Sequence, residues 1–303
     1  MALNTTKKVL LLLCFLTGVA IYSSTGSQDS TPGATTAEFS VNGNGGAVYT
    51  IPIEVPPGTH GVEPQISLRY NSQNQVGLAG AGFDISGVSA ITRCPATTAQ
   101  DGFIGAITFG DDDRFCMDGS RLMAVDGDYG GDGTTYYTER QSWSKIVSHY
   151  GEYDDGGDGD KEACGGGPCY FEVTTKKGIT QLYGTTTDSR IEAQGKDAVL
   201  VWALYRTVDL HGNYIEYSYD ENQADGNYQL DTIAYTGNTD GSLDPAREIT
   251  FNYEDRPDVS VKYIGGSLFE KNKRLTSIET SVDDSTVRTY TLGYEATGTF
   301  PRS

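Results

Sequence analysis

Beyond its N-terminus the chain reads as short runs in which apolar or aromatic residues alternate with polar ones, separated by clusters of Gly, Asn and Asp. Such runs occupy Ala47 to Val55, Gln65 to Tyr70, Thr135 to Glu139, Cys169 to Thr175, Ile179 to Tyr183, Val199 to Val208, Tyr214 to Tyr219, Glu248 to Tyr253, Leu275 to Ser281 and Val287 to Tyr294. Each has strand length, is rich in β-branched or aromatic residues and is bounded by turn formers, the pattern of half-buried β-strands. The Val-Leu-Val-Trp-Ala-Leu stretch inside Asp197 to Val208 reads as a buried central strand. The pattern predicts an all-β protein, a large antiparallel sheet or sandwich-type assembly of hairpins with little helix. The composition agrees: 20 tyrosines suit a pleated, half-buried face, and 38 glycines supply the positive-φ positions of tight turns.

The N-terminus follows another rule. Lys7 and Lys8 precede an apolar run from Val9 to Ile21, and small polar residues follow from Ser23 to Ser27. This is the order of a secretory signal peptide, expected over residues 1–26 with cleavage around Ser23 to Gly26. An uncleaved anchor is the rival, but the run falls short of the roughly 20 residues that span a bilayer. Residues 27–43 are expected to form a disordered Ser/Thr/Gly leader. A β-domain is expected over 44–208 and a continuation built of hairpins over 209–303. No later stretch is apolar enough to span a membrane, so the expected location is secreted or extracellular, with the periplasm and the cell surface as variants.

Charge narrows the partners. With 41 acidic against 22 basic residues the net charge is −19, which repels polyanions and argues against nucleic-acid binding. Solubility outside the cytoplasm accounts for the acidity without any ligand. Beyond the signal stretch four cysteines remain: Cys94, Cys116, Cys164 and Cys169. An even count in an exported chain favours disulfides. Cys164 and Cys169 enclose a Gly-Gly-Gly-Pro turn that lets them meet, which leaves Cys94 with Cys116. Zinc is the rival, but the sequence has no C-x-x-C knuckle and no His near either pair.

Two loops alternate Asp with Gly. Asp126, Asp128 and Asp132 lie in the first, and Asp154, Asp158 and Asp160 in the second. They are candidates for calcium, because Gly permits the sharp turn and Asp supplies hard oxygens. Neither has the full EF-hand spacing, and a solvated hairpin tip is the simpler reading. No other cofactor is expected. The three histidines, His60, His149 and His211, look like loop or strand-edge residues, and no nucleophile elbow, H-E-x-x-H or phosphate loop occurs. Gly77, Gly80 and Gly82 crowd one turn, but no helical segment follows, so they mark a bend between strands and not a dinucleotide site. No catalytic residue is nominated, and the chain is expected not to be an enzyme.

A longer pattern is also present. The run from Gly45 to Thr59 (GGAVYTIPIEVPPGT), then Pro64 to Ser72 (PQISLRYNS), Gly80 to Gly87 (GAGFDISG), Asp113 to Leu122 (DRFCMDGSRL), Trp143 to Ser148 (WSKIVS), Val201 to Leu204 (VWAL), Asp209 to Asn213 (DLHGN) and Phe251 to Arg256 (FNYEDR) resembles the SpvB domain, block by block and in order. That family comprises the module that begins the Salmonella virulence-plasmid B toxin and the TcB-type components of insecticidal Tc toxins. Asp209 to Ile233 further resembles a degenerate tyrosine-aspartate repeat of the Rhs class, with a looser copy from Arg274 to Tyr294. The resemblance implies a fold continuing toward an Rhs-like spiral sheet. It also implies a structural part in a β-shell that encloses or delivers a toxic C-terminal region. Implied partners are other toxin-complex components or the C-terminal remainder of the same polypeptide, with toxic activity residing outside these residues. A cell-surface adhesion or carbohydrate-binding protein of the same fold is the alternative.

Overall fold

The computed structural model describes the backbone of residues 19–25 and the whole of 36–153 and 162–295. The short first strand β1 (Val19–Thr25) stands apart in sequence from the rest. Strands β2 (Glu38–Val41), β3 (Ala47–Pro52), β4 (Ser67–Asn71) and β7 (Phe83–Ser86) form a four-stranded antiparallel sheet in the order β2-β3-β4-β7. Between β4 and β7, β5 (Val76–Gly77) and β6 (Gly80–Ala81) make a small separate hairpin. The glycine-rich 77–82 stretch is therefore a bend between strands, as its sequence predicts. Gly77 packs so closely that a β-carbon would lie 2.0 Å from the Phe83 carbonyl oxygen.

The next strands are β8 (Ala90–Cys94), β9 (Arg114–Met117), β10 (Ser120–Asp126), β11 (Thr135–Thr138), β12 (Lys145–His149), β13 (Tyr170–Thr174), β14 (Thr180–Tyr183), β15 (Arg190–Glu192) and β16 (Val199–Val208). Each of β8 to β14 pairs with its neighbour in sequence, β14 pairs with β16, and β16 returns to β8 through Val201↔Thr92, Trp202↔Ile91 and Ala203↔Ala90. The ring closes into an eight-stranded barrel. A barrel of this size is just wide enough for side chains to fill. Trp202, Phe171, Tyr136, Ile91, Leu122 and Ile146 fill it, all fully buried. The rings of Phe115 and Phe171 meet the indole edge-on at 5.2 and 5.1 Å.

The second half of β16 pairs with β14 of the barrel along one edge and along the other begins an open antiparallel sheet with β17 (Asn213–Asn222), β18 (Asn227–Asn238), β19 (Arg247–Ile264), β20 (Ser267–Val282) and β21 (Ser285–Tyr294). Alternate residues point inward: Ile215, Tyr217 and Tyr219, then Ile233 and Tyr235, Ile249 and Phe251, and Tyr290 and Leu292 are buried. The four-stranded sheet covers this face with Ile51, Ile53, Ile66 and Leu68, giving one continuous core with the barrel. Tyrosine hydroxyls tie the layers: Tyr235 donates to the Pro56 carbonyl at 2.8 Å, and Tyr290 accepts from the Glu54 amide at 2.9 Å.

The all-β, antiparallel expectation is met, and part of the molecule is a two-layer sandwich. The single helix among the described residues, α1 (Thr98–Asp101), is one turn long. The structure adds strands that periodicity did not pick out, β7, β8, β9, β10, β12, β15 and the 12-residue β18 (Asn227–Asn238), and it lengthens Glu248 to Tyr253 and Leu275 to Ser281 into a hairpin of 18- and 16-residue strands. Glu38–Val41, at the end of the stretch read as a disordered leader, is a strand paired with β3. Val19–Thr25, inside the stretch read as a signal peptide, pairs with β21. The rest of that stretch and residues 27–35 lie outside the described residues.

Replacing the fully buried Trp202 with Ala is expected to cost about 3 to 5 kcal/mol in urea unfolding. Ile104→Ala, at a side chain 84% exposed, should change stability by less than about 0.5 kcal/mol.

Candidate functional site

Two places concentrate polar chemistry: a charge buried in the barrel wall and a cleft in the open sheet. On β8, alternation puts Arg93 on the inward face with Ile91, and its side chain is 1% exposed. Its Nη1 donates to Asp113 Oδ2 at 3.0 Å, and Nε donates to the Val199 carbonyl on β16 at 2.7 Å. The guanidinium lies 5.7 to 5.8 Å from the ring centres of Phe109, Phe115 and Trp202. Asp113 in turn accepts the Thr108 and Phe109 amides at 2.8 and 2.9 Å. Burial lowers the Arg93 pKa, and the bond to Asp113 opposes that shift. A charged pair so enclosed holds geometry, because removing either member strands the other in an apolar wall.

The cysteines flank this group. Cys94 is bonded to Cys116 across β8 and β9, and Cys164 to Cys169. The tight Cys164–Cys169 loop passes over Arg93. A β-carbon at Gly167 would lie 2.8 Å from Arg93 Nη2, so glycine there leaves room for the guanidinium. Trp202 Nε1 donates to the Pro168 carbonyl at 3.1 Å, fixing the same loop to the core.

The cleft arises where two hairpins part. β18 and β19 pair only from Tyr235↔Arg247 to Thr232↔Thr250, and beyond that point they diverge. The gap, about 580 Å³, is lined from β17 and β18 by Asp220, Glu221, Asn227 and Gln229, and from β19 and β20 by Arg256, Asn272 and Lys273. Asn227 and Gln229 are buried on the same face of β18, and their amides form a chain. Asn227 Nδ2 donates to Gln229 Oε1 and Asn272 Oδ1 at 2.8 and 2.9 Å, and Gln229 Nε2 donates to Asp220 Oδ2 at 2.6 Å. Lys273 Nζ reaches Asp255 at 2.7 Å. Burial, with Glu192 and Asp188 nearby, pushes the Glu221 carboxyl up to about 7. The walls can hold a polar group by donors and acceptors, and Glu221 can exchange a proton near neutrality. No Ser, Cys or His lines the cleft as a nucleophile or base.

The other predicted residues lie apart. His60 sits in a turn with φ 51°, His149 stacks on Tyr170 at 4.7 Å, and His211 is exposed in the β16–β17 turn. Asp126 ends β10 and pairs with Thr135, and Asp128 and Asp132 lie in the following loop, where Asp132 Oδ1 accepts the Tyr150 amide at 2.8 Å. No three metal-ligating side chains gather anywhere among the described residues. Asp154, Asp158 and Asp160 lie outside the described residues.

The sequence matches the family described as Salmonella virulence plasmid 65kDa B protein over residues 41–247. The chain belongs to the SpvB family. The match runs from the end of β2 to the start of β19 and so takes in both the SpvB barrel and the covering sheet. Solved structures share the fold. The N-terminal domain of effector protein SpvB from Salmonella typhimurium strain LT2 is 16% identical with a TM-score of 0.58, covering 80% of this chain and 96% of that one. The crystal structure of TcdB2-TccC3 is 16% identical with a TM-score of 0.62, covering 88% of this chain. The Photorhabdus luminescens Tc holotoxin pore gives 16% identity and a TM-score of 0.63 over 92% of this chain. This SpvB-family chain spans 16% of the length of each of those two Tc chains. No curated protein matches.

Two measurements follow from these geometries. The disulfide joining residues 22 apart should stabilise more than the one joining residues 5 apart, by about 1 kcal/mol from loop-closure entropy. Paired Cys→Ser variants compared in urea check this. Because the folded Glu221 binds its proton more tightly than an unfolded glutamate, its contribution to stability is full below pH about 4.5 and is lost as pH rises through about 7. The melting temperature of Glu221→Gln relative to the parent should therefore rise across that window.

Proposed function

We propose that this chain is an exported structural module of a Tc/Rhs-type toxin, forming the N-terminal part of a β-walled shell that encloses or delivers a toxic region, and that it is not itself catalytic. The observation that carries the reading is architectural. A closed barrel shares its last strand with an open sheet whose strands follow one another in sequence, and this fold resembles that of the SpvB N-terminal domain and of Tc chains many times longer. An open sheet of consecutive hairpins grows by adding further hairpins at its outer edge, here the edge of β21 that β1 occupies and that removal of the signal stretch would free. The barrel is packed solid with side chains, which suits an anchor for a wall better than a binding chamber. The two disulfides and the acidic surface fit an oxidising, extracellular setting.

The test is to express the complete reading frame containing the chain and examine it by electron microscopy and limited proteolysis. A hollow particle whose interior segment resists protease is the expected result. A solid particle without a lumen, or substrate turnover that survives removal of every residue outside 36–295, would overturn the reading.

A further inference from the structure

The turns at one end of the barrel and the neighbouring sheet carry a patch that neither the shell reading nor the core explains. The register puts three connections side by side. Lys145 of β12 faces Thr174 of β13, and Thr180 of β14 faces Val208 of β16, so the turns at 139–144, 175–178 and 209–212 share one rim. Trp143 projects from the first at 64% exposure and Leu210 from the third at 74%. Lys176 Nζ lies 5.8 Å from the Trp143 ring centre, and a β-carbon on Gly178 would lie 2.8 Å from Leu210 Cδ2. The indole, the lysine turn and the leucine are therefore contiguous. Trp143 keeps a φ of 61°, a conformation a bulky residue adopts rarely and at a cost. The indole nonetheless gains no burial from it.

The charge around these side chains runs against the rest of the molecule. Arg140, Lys145, Lys176 and Lys177 are all exposed here, in a chain of net charge −19. Two carboxylates, exposed Glu139 and half-buried Asp209, lie on the same turns and are outnumbered by these cations. Glu139 accepts from Gln100 at 2.6 Å, and Asp209 accepts from the His211 and Asn213 amides at 2.8 and 2.9 Å. The patch ends against the next connection, where exposed Asp240 lies directly beside Gly212 of the third turn and Asp244 follows, restoring the acidic surface. At physiological salt charges are screened beyond about 8 Å, so a surface approaching these turns meets four cations against two carboxylates before it meets the net charge.

Apolar tips on convex turns, ringed by lysine and arginine, match one partner best. A protein interface would bury such groups in a concave pocket, whereas a tryptophan and a leucine on separate turn tips insert side by side into the headgroup region of a bilayer. We propose that this rim is a peripheral membrane-docking surface for anionic lipid, with Trp143 and Leu210 entering the interface and Lys145, Lys176, Lys177 and Arg140 binding the headgroups.

The chain contains 2 tryptophans, and Trp202 is fully buried, so a change in emission on adding lipid reports Trp143. The purified protein would be titrated with phosphatidylcholine vesicles with and without phosphatidylserine, read by emission and by co-sedimentation. A blue shift and co-sedimentation with phosphatidylserine vesicles, weakened by salt, are expected. Lys176→Gln with Lys177→Gln should lower partitioning roughly thirtyfold, about fivefold for each charge. Trp143→Phe should abolish the emission change and leave the far-UV spectrum unaltered. Absence of any response to phosphatidylserine vesicles overturns the proposal, as does equal binding to neutral vesicles. A blue shift with polyglutamate in place of lipid would assign the patch to an acidic polypeptide and overturn it as well.

Discussion

Arg93 carries its charge inside the wall of the barrel, and the parts around it are arranged as that charge requires. Its three-sided environment consists of the Asp113 carboxylate, the Val199 carbonyl and the faces of Phe109, Phe115 and Trp202. They come from three stretches of chain: Asp113 and Phe109 from the connection before β9, Phe115 from β9 itself, and Val199 and Trp202 from β16. A buried guanidinium tolerates little misplacement, because the cost of desolvating it is recovered only while all of its partners are in position. The strand that begins the ring is thereby locked to the strand that ends it. The Cys164–Cys169 loop takes its glycine from the same requirement, and the Cys94–Cys116 bond holds β8 to β9 one residue beyond Arg93.

Closure at β16 also sets the shape of everything downstream. One strand serves two structures: its first half meets β8 and its second half meets β14 to seal the barrel, while the free edge of that second half starts the open sheet. The open sheet inherits the barrel's orientation, and its inner face is covered by the four-stranded sheet that precedes the barrel in sequence. Tyrosine makes this possible at many points, since its ring fills the layer while its hydroxyl satisfies a carbonyl on a neighbouring strand or on the opposing layer. Tyr219, Tyr235 and Tyr253 donate to Leu204, Pro56 and Leu230 at 2.7 to 2.8 Å. Burial raises the pKa of all three phenols, so they remain neutral donors throughout the physiological range.

Much of this was legible in sequence, and the remainder was hidden for identifiable reasons. Alternation located the strands whose two faces differ, such as Tyr214 to Tyr219, and the Val199 to Val208 run was read correctly as central because it is apolar on both faces. Strands β8, β9 and β12 carry Arg93, Arg114 and Lys145 among their apolar residues, which broke the pattern. In β8 the period of two did put Arg93 on the same side as Ile91, and a charge at an inward position was the available signal. Its partner Asp113 could not be read, since pairing across 20 residues leaves no local mark. Beyond Pro257 β19 is largely exposed, and although Val259, Val261 and Tyr263 alternate with Ser260 and Lys262, the proline breaks the run before them. Its register shifts between Asp255 and Ser260, which accommodates the proline. The cleft depends on where β18 and β19 stop pairing, and a break in pairing has no sequence signature. The cysteine pairs were readable because a glycine-rich turn between Cys164 and Cys169 left a single complementary choice.

The pairing of Ile91 with Trp202 has a further consequence during synthesis. Strands β8 to β14 can form hairpins with their neighbours as they emerge, but the ring cannot seal until β16 has left the ribosome. At translation rates of about 5 to 20 residues per second, the intervening chain takes on the order of ten seconds to appear. Throughout that interval the nascent sheet has one bare edge at β8 and an unfilled interior lacking its tryptophan. Residues in β16 therefore set the length of a vulnerable window, and any delay in their arrival prolongs exposure of an apolar, strand-pairing surface to aggregation.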